Sequence, residues 1–210
     1  MKLYVFPPAP NGAKVRLYLA EKAAAGAPIE LEEVIVNLIE GEHRRPEFLA
    51  KNPMGAIPVL ELDDGRCIHE SLAIIEYFED RHPEPSLWGP DPESRAEARQ
   101  IERIADLEGL IPIGREIHTT NSPLGLPANP TLAAHYRKRW QRGLDHLESL
   151  MADGRPFLAG DRVTVADCTL QAALQFARFG KIDALEGRPL LSAWCDRFRE
   201  RETTEGVIFL

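Results

Sequence analysis

The 210-residue sequence is poor in three things, and each absence removes a class of function. Cysteine occurs only as Cys67, Cys168 and Cys195. They lie far apart, with no CxxC pair and no histidine at metal-ligand spacing, so neither a zinc site nor a dithiol redox motif is written here. Positive charge is in deficit. Lysine and arginine total 25 against 33 acidic residues, a net charge of -8, which argues against a nucleic-acid or anionic-membrane partner because both need a basic surface. Long apolar runs are missing too: Leu3 to Phe6 stops at proline, too short for a signal peptide, and no window approaches the ~18 apolar residues of a membrane span. A soluble cytoplasmic protein with reduced thiols in or near its core is expected.

What is present is patterned. Leu3-Tyr4-Val5-Phe6 reads as a short strand that Pro7-Pro8 stops, since proline cannot donate to a ladder. A helix should begin near Gly12, with Val15, Leu19 and Ala23 on its packing face and Gly26 and Pro28 at its end. Ile29 to Val36 then alternates as a strand, and a strand-helix-strand crossover of this length returns parallel. Ile57 to Leu62 and Cys67 to His69 follow as a hairpin across Asp63-Asp64-Gly65, and Glu70-Ser71 opens the next helix. From Pro83 to Ser94 four prolines and a glycine fall in twelve residues, after which strand signals vanish. The division expected is an α/β domain over 1–82, a linker over 83–92 and an all-α domain over 93–210. Within the last, helices should span Glu93 to His118 and Thr131 to Met151, and Thr164-Val165-Ala166-Asp167 is a capping signature with a folding role.

Four places carry possible chemistry. Asn11-Gly12 is a turn pair at the start of the first helix, where free N–H groups and the helix dipole favour an anion. Ser71 stands at the start of another helix and offers a hydroxyl and backbone N–H groups to a carboxylate, or serves as a plain N-cap with Glu70 beside it. Ile57-Pro58 places proline at the first position of a strand, one of the few it tolerates in a sheet. A lone histidine, His43, lies in the polar segment "GEHRRPEFLAKNP" with Arg44, Arg45 and Lys51 near it.

Taken in order, the Pro-Asn-Gly turn, "NPMGAIPVLELDDG", "ESLAIIEYFEDRHP" and "FLAGDRVTVADCTL" resemble the glutathione transferase superfamily over nearly the whole chain. The turn resembles that of bacterial nu-class members and yeast prion-like relatives, and the segment around His43 resembles that of theta-like members. The resemblance implies a thioredoxin-like α/β domain with a mixed four-stranded sheet and a cis-proline at Pro58, followed by an all-α helical bundle. It implies glutathione as cosubstrate, with the Ile57 backbone on its cysteinyl part, Glu70 and Ser71 on the γ-glutamyl end, and His43 on the glycyl carboxylate. A homodimer is also implied, as is a second substrate that is a small hydrophobic electrophile or a disulfide.

One departure stands out. The position of the family's activating tyrosine falls on Val5, with Tyr4 facing the other side of the strand, and its serine or cysteine position falls on Ala9. The catalytic candidate left is Asn11, as in nu-class relatives that reduce disulfides with glutathione. The alternative is a protein that keeps the fold as a binding or regulatory module without catalysis.

Overall fold

In a computed structural model, which describes residues 1–209, the chain forms two compact units, Met1–Ser86 and Leu87 onward. The first contains β1 (Lys2–Val5), α1 (Pro10–Ala24), β2 (Glu32–Ile35), α2 (Pro46–Leu49), β3 (Val59–Glu61), β4 (Cys67–His69) and α3 (Ser71–Arg81). Its sheet has the order β2-β1-β3-β4. β1 runs parallel to β2 and antiparallel to β3, and β3 pairs antiparallel with β4.

The register decides where the chemistry can gather. Val59 at the start of β3 pairs with Tyr4 near the end of β1 and with His69 at the end of β4, and Val5 pairs with Ile35 at the end of β2. The segments that follow β1, β2 and β4, and the one that precedes β3, therefore all meet the sheet at one end.

Alternation along β1 sends Leu3 and Val5 to one face and Tyr4 to the other. Leu3 and Val5 are wholly buried. Tyr4 joins Val36, Phe48 and Val59 in a small cluster that holds α2.

α1 differs from its expected packing. Val15 is buried, but Leu19 is only half-buried and Ala23 is exposed; the buried set includes Lys14, Leu17, Tyr18, Glu21 and Lys22. Charged groups go inside because they are paired there. The Tyr18 hydroxyl donates to Glu79 at 2.9 Å. The Lys22 ammonium donates to the carbonyls of His82 and Pro85 at 2.6 and 2.7 Å and pairs with Glu79 at 2.9 Å.

The second unit is helical: α4 (Pro92–Ile104), α5 (Ile111–Thr120), α6 (Pro130–Leu150), α7 (Val165–Phe179) and α8 (Pro189–Arg199). The single helix expected from Glu93 to His118 is interrupted by a π-helical turn, Ala105–Leu110. This wider turn packs against α6. A Cβ on Gly143 would stand 2.6 Å from the Glu108 carbonyl oxygen, and the Glu108 carboxylate is held by Arg139 and Arg142 of α6 at 2.9 and 3.1 Å. α7 is the central helix, with every residue from Val165 to Ala177 buried. Its start is fixed by Asp167, which accepts from the Leu158 and Thr164 amides, the Thr164 hydroxyl and the Trp194 indole at 2.8–2.9 Å. Among the described residues no helix is long and apolar enough to cross a membrane.

Candidate functional site

The turn after β1 is built from what its residues cannot do. Ala9, the N-cap of α1, has no side-chain acceptor, and its own amide is spent on the Phe6 carbonyl at 2.8 Å. Pro10 at the first helical position has no N–H. The first intrahelical bond runs from Ala13 to Ala9. Of the amides a helix start leaves without intrahelical partners, those of Asn11 and Gly12 are what remains for an anion, with the dipole behind them. Val5, wholly buried, packs beneath this helix start: a Cβ on Gly12 would lie 3.4 Å from its methyl.

α3 begins at the same end of the sheet. Glu70 sits between β4 and α3 with φ 69° and ψ 122°, a conformation uncommon for a residue with a side chain. Its carbonyl accepts from Ile74 at 3.0 Å, and its side chain is exposed. Ser71, buried, donates its hydroxyl to the Asn11 side-chain oxygen at 3.2 Å. The starts of α1 and α3 are thereby tied together. With its oxygen engaged, the Asn11 amide has its Nδ2 hydrogens to donate elsewhere.

Ile57 and Pro58 enter β3 through a cis peptide bond. The loop before them is shaped by Asn52, which sequence reading passed over. Its side chain is buried, donates to the Ala56 carbonyl at 2.7 Å and accepts from the Met54 amide at 3.1 Å. An Asn-Pro pair followed two residues later by Gly carries that turn signal in the sequence. Gly55 has φ 59°, and a Cβ there would come within 3.2 Å of the His43 carbonyl oxygen, so the residue-55 loop and the His43 turn pack side by side only with glycine between them.

His43 lies in a 3₁₀ turn, Glu42–Arg44, and is buried, with its Nδ1 lacking a hydrogen-bond partner among the described residues. Burial, aided by the charge of Arg44, holds its pKa below the ordinary value, so the ring is neutral at pH 7. The cations near it differ in availability. Arg45 pairs with Glu42 at 3.1 Å. Lys51 is committed to Glu61, which also accepts from the Tyr4 hydroxyl at 2.6 Å. That trio fixes its own ionisation. The Lys51 hydrogen bond lowers the Glu61 pKa, and burial followed by the Glu61 bond raises that of Tyr4. Tyr4 is a structural hydroxyl facing α2. Cys67 packs beside the same cluster with its thiol pKa raised, chiefly by burial, which makes it a poor nucleophile.

The structure thus brings Asn11 and Ser71 into contact, with Glu70 next to Ser71 in the chain, and places His43 against the loop leading to Ile57 and Pro58. A mixed sheet with these four segments at one end, followed along the chain by a helical unit, defines a thioredoxin-like domain joined to an all-α domain. Known proteins agree. Residues 3–86 match the family model described as Glutathione S-transferase, N-terminal domain, and residues 128–197 match Glutathione S-transferase, C-terminal domain. The chain is 35% identical to glutathione S-transferase 2 of Saccharomyces cerevisiae over 99% of this chain and 89% of that protein. It is 35% identical to maleylacetoacetate isomerase of Pseudomonas aeruginosa over 86% and 83%. Among solved structures it is similar to Gtt2 from Saccharomyces cerevisiae, with a TM-score of 0.88, 35% identity, and 99% and 100% of the two chains covered. It also resembles a glutathione S-transferase domain-containing protein of Marinobacter aquaeolei VT8, with a TM-score of 0.87, 37% identity, and 97% and 99% covered. The chain belongs to the glutathione S-transferase family.

Proposed function

We propose that the protein uses glutathione as cosubstrate and that its chief reaction is thiol-disulfide exchange, with conjugation to a small hydrophobic electrophile secondary. The observation that carries this reading is the composition of the α1 start: two backbone amides and the Asn11 side-chain amide, with methyl groups where family members keep a hydroxyl or thiol.

In this reading the glutathione sulfur lies at that helix start. A free thiol of pKa about 8.5 is only a few per cent ionised at neutral pH, and amides with a helix dipole favour the thiolate. They do so more gently than a dedicated side chain would. Exchange suits a moderate shift, because nucleophilicity falls as pKa falls and the best attacking thiol titrates near ambient pH. The thiolate attacks one sulfur of a small disulfide, forming a mixed disulfide and releasing the other sulfur as thiolate, which takes up a proton. A second glutathione thiolate then attacks the glutathione sulfur of the mixed disulfide. The net change is two glutathiones oxidised to one glutathione disulfide and one disulfide reduced to two thiols.

The remaining roles are those the family resemblance implies. The Ser71 N–H and the Glu70 carboxylate take the γ-glutamyl carboxylate and amino group, the Ser71 hydroxyl keeping its proton on Asn11; the Ile57 backbone pairs with the cysteinyl residue as an added strand would, and neutral His43 donates to the glycyl carboxylate. The same reading takes the protein as a cytoplasmic homodimer.

Paired assays test it, one with 2-hydroxyethyl disulfide and one with 1-chloro-2,4-dinitrobenzene, each with glutathione. Disulfide turnover should exceed conjugation and should fall in Asn11→Ala. Conjugation that dominates and is indifferent to Asn11 would reverse the assignment. Binding of glutathione with turnover of neither acceptor would leave a binding module, the reading Ala9 favours.

A further inference from the structure

The ladder between β3 and β4 ends at the pair Val59 and His69. The residue before Val59 is Pro58, which has no N–H to donate, and the residue after His69 is Glu70, whose φ of 69° breaks the extended backbone. Ladder hydrogen bonds therefore stop short of the segments assigned to glutathione, Ile57 on one strand and Glu70 with Ser71 on the other.

The His69 side chain continues where the ladder stops. Its Nε2 lies 2.7 Å from the Lys51 carbonyl oxygen; a carbonyl only accepts, so this nitrogen carries the proton. Lys51 is the root of the loop that leads to Ile57. Its ammonium is fixed to Glu61 of β3 and stands 5.1 Å from the centre of the Tyr4 ring in β1, and His69 adds a tie from β4 at the backbone itself. From that root Asn52 closes the loop, its amide donating to the Ala56 carbonyl next to Ile57.

Closing α2 does not account for the bond. The carbonyls of Arg45 and Pro46 already accept from Leu49 and Ala50, and that of Phe48 from Lys51 and Asn52, at 2.9–3.0 Å. What His69 holds is the residue just beyond the helix end, where the chain enters the loop to Ile57. One half-buried side chain thus joins the two stretches of backbone that meet the γ-glutamyl and cysteinyl parts of glutathione.

We propose that His69 is a positioning residue for glutathione binding: through the Lys51 carbonyl it sets the Ile57 backbone relative to Glu70 and Ser71, so that both parts of one ligand are met at once. It does so without touching the ligand, and the role rests on the glutathione site proposed above. Without the bond, ordering the loop falls to the ligand and is deducted from its affinity.

The test is calorimetric titration of the full-length protein with S-methylglutathione, paired with urea unfolding. His69→Ala should bind about three- to tenfold more weakly than wild type, the usual worth of one neutral hydrogen bond. His69→Gln, whose amide nitrogen can stand where Nε2 stands, should keep its affinity within about twofold. His69→Asn, one methylene shorter, should behave as alanine does, and it decides alone if His69→Ala fails to fold by circular dichroism. A bond that served stability only would lower the urea midpoint and leave the affinity of the folded chain unchanged. Unchanged affinity in the folded alanine or asparagine variant, or a glutamine variant as weak as alanine, would overturn this role while leaving the glutathione site standing. No binding of S-methylglutathione by the wild type would overturn both.

Discussion

The hydroxyl of Ser71 donates to the side-chain oxygen of Asn11 at 3.2 Å, across 60 residues of sequence. One proton thus settles two orientations. It turns the Asn11 amide so that its nitrogen is the free donor, and it holds the start of α3 against the start of α1. In the proposed complex the γ-glutamyl carboxylate meets Ser71 while the sulfur meets Asn11, so the two ends of one ligand are read by residues that also read each other.

The first prediction is that Asn11 and Ser71 act as a unit. Ser71→Ala, which loses the neutral bond to Asn11, should weaken S-methylglutathione binding by about three- to tenfold, and Asn11→Ala should lower disulfide turnover by about 10- to 100-fold, the range for losing a hydrogen bond to a charged partner. In a double-mutant cycle on S-methylglutathione affinity the two changes should be non-additive by about 0.5 kcal/mol or more. Additivity within about 0.3 kcal/mol would mean the contact plays no part in binding.

The second concerns pH. His43 has a pKa below its ordinary value of about 6.5 because burial, then Arg44, disfavours the imidazolium. The unfolded chain therefore binds this proton before the folded one does. The His43 contribution to stability is fully present above about pH 6.5 and is lost as pH falls from there toward the folded pKa, with a slope of at most about 1.4 kcal/mol per pH unit. His118 has the same sign, being lowered by burial and by Arg115, so His43→Gln should flatten the acid limb of urea unfolding only in part. Binding should show the opposite linkage. A glycyl carboxylate arriving at His43 favours its protonation, so the affinity for S-methylglutathione, which has no titrating thiol, should rise from pH 8 to pH 6 in the wild type and not in His43→Gln. A flat profile in the wild type would place the glycyl carboxylate elsewhere.

How much of this was legible beforehand depends on the range of the interactions concerned. β1, β4, the start of α3 and the Thr164–Asp167 cap are written in local periodicity and in prolines, glycines and caps, and they occur where the sequence places them. The burial of Lys14, Glu21 and Lys22 was not legible, because the partners that permit it for Lys22 lie some 60 residues away. The π-helical turn packs against Gly143 of α6, where a side chain would clash with Glu108, and nothing near residue 108 announces it. At the site, the turn residues and the Val5 and Ala9 positions could be read from motif order. The Asn11–Ser71 bond and the commitment of Lys51 to Glu61 required the register of the sheet, whereas Asn52, bonded only to Met54 and Ala56, was written locally in its Asn-Pro-x-Gly turn.

A third prediction follows from the backbone at Glu70. A residue with a side chain held at φ 69° carries strain of about 1–3 kcal/mol, while glycine there would lose about 0.5–1 kcal/mol more conformational freedom on folding. Glu70→Gly should therefore leave stability unchanged or raise it by up to about 2 kcal/mol in urea unfolding. Glutathione affinity should fall about tenfold with the loss of the carboxylate. Glu70→Ala, which keeps the strain and loses the carboxylate, should share the affinity loss without the gain. A glycine variant less stable than wild type by more than about 1 kcal/mol would show that the conformation is not strained.

The fourth isolates the charges buried under α1. The Lys22 side chain is fully buried, with its ammonium on two carbonyls and on Glu79, whose carboxylate also accepts from Tyr18 and Ser86 at 2.9 and 2.8 Å. Lys22→Met keeps the aliphatic stem but leaves the Glu79 charge without its cation and two carbonyls without their donor. Breaking one side of such a pair costs about 3–5 kcal/mol, more than the pair itself contributes over an apolar substitute. Glu79→Gln added to Lys22→Met should then recover part of the loss, because the stranded charge disappears while the amide still bonds to Tyr18 and Ser86. Urea midpoints of the two variants decide it. A double variant less stable than Lys22→Met alone would mean that Glu79 stabilises the fold through Tyr18 and Ser86 rather than by neutralising Lys22.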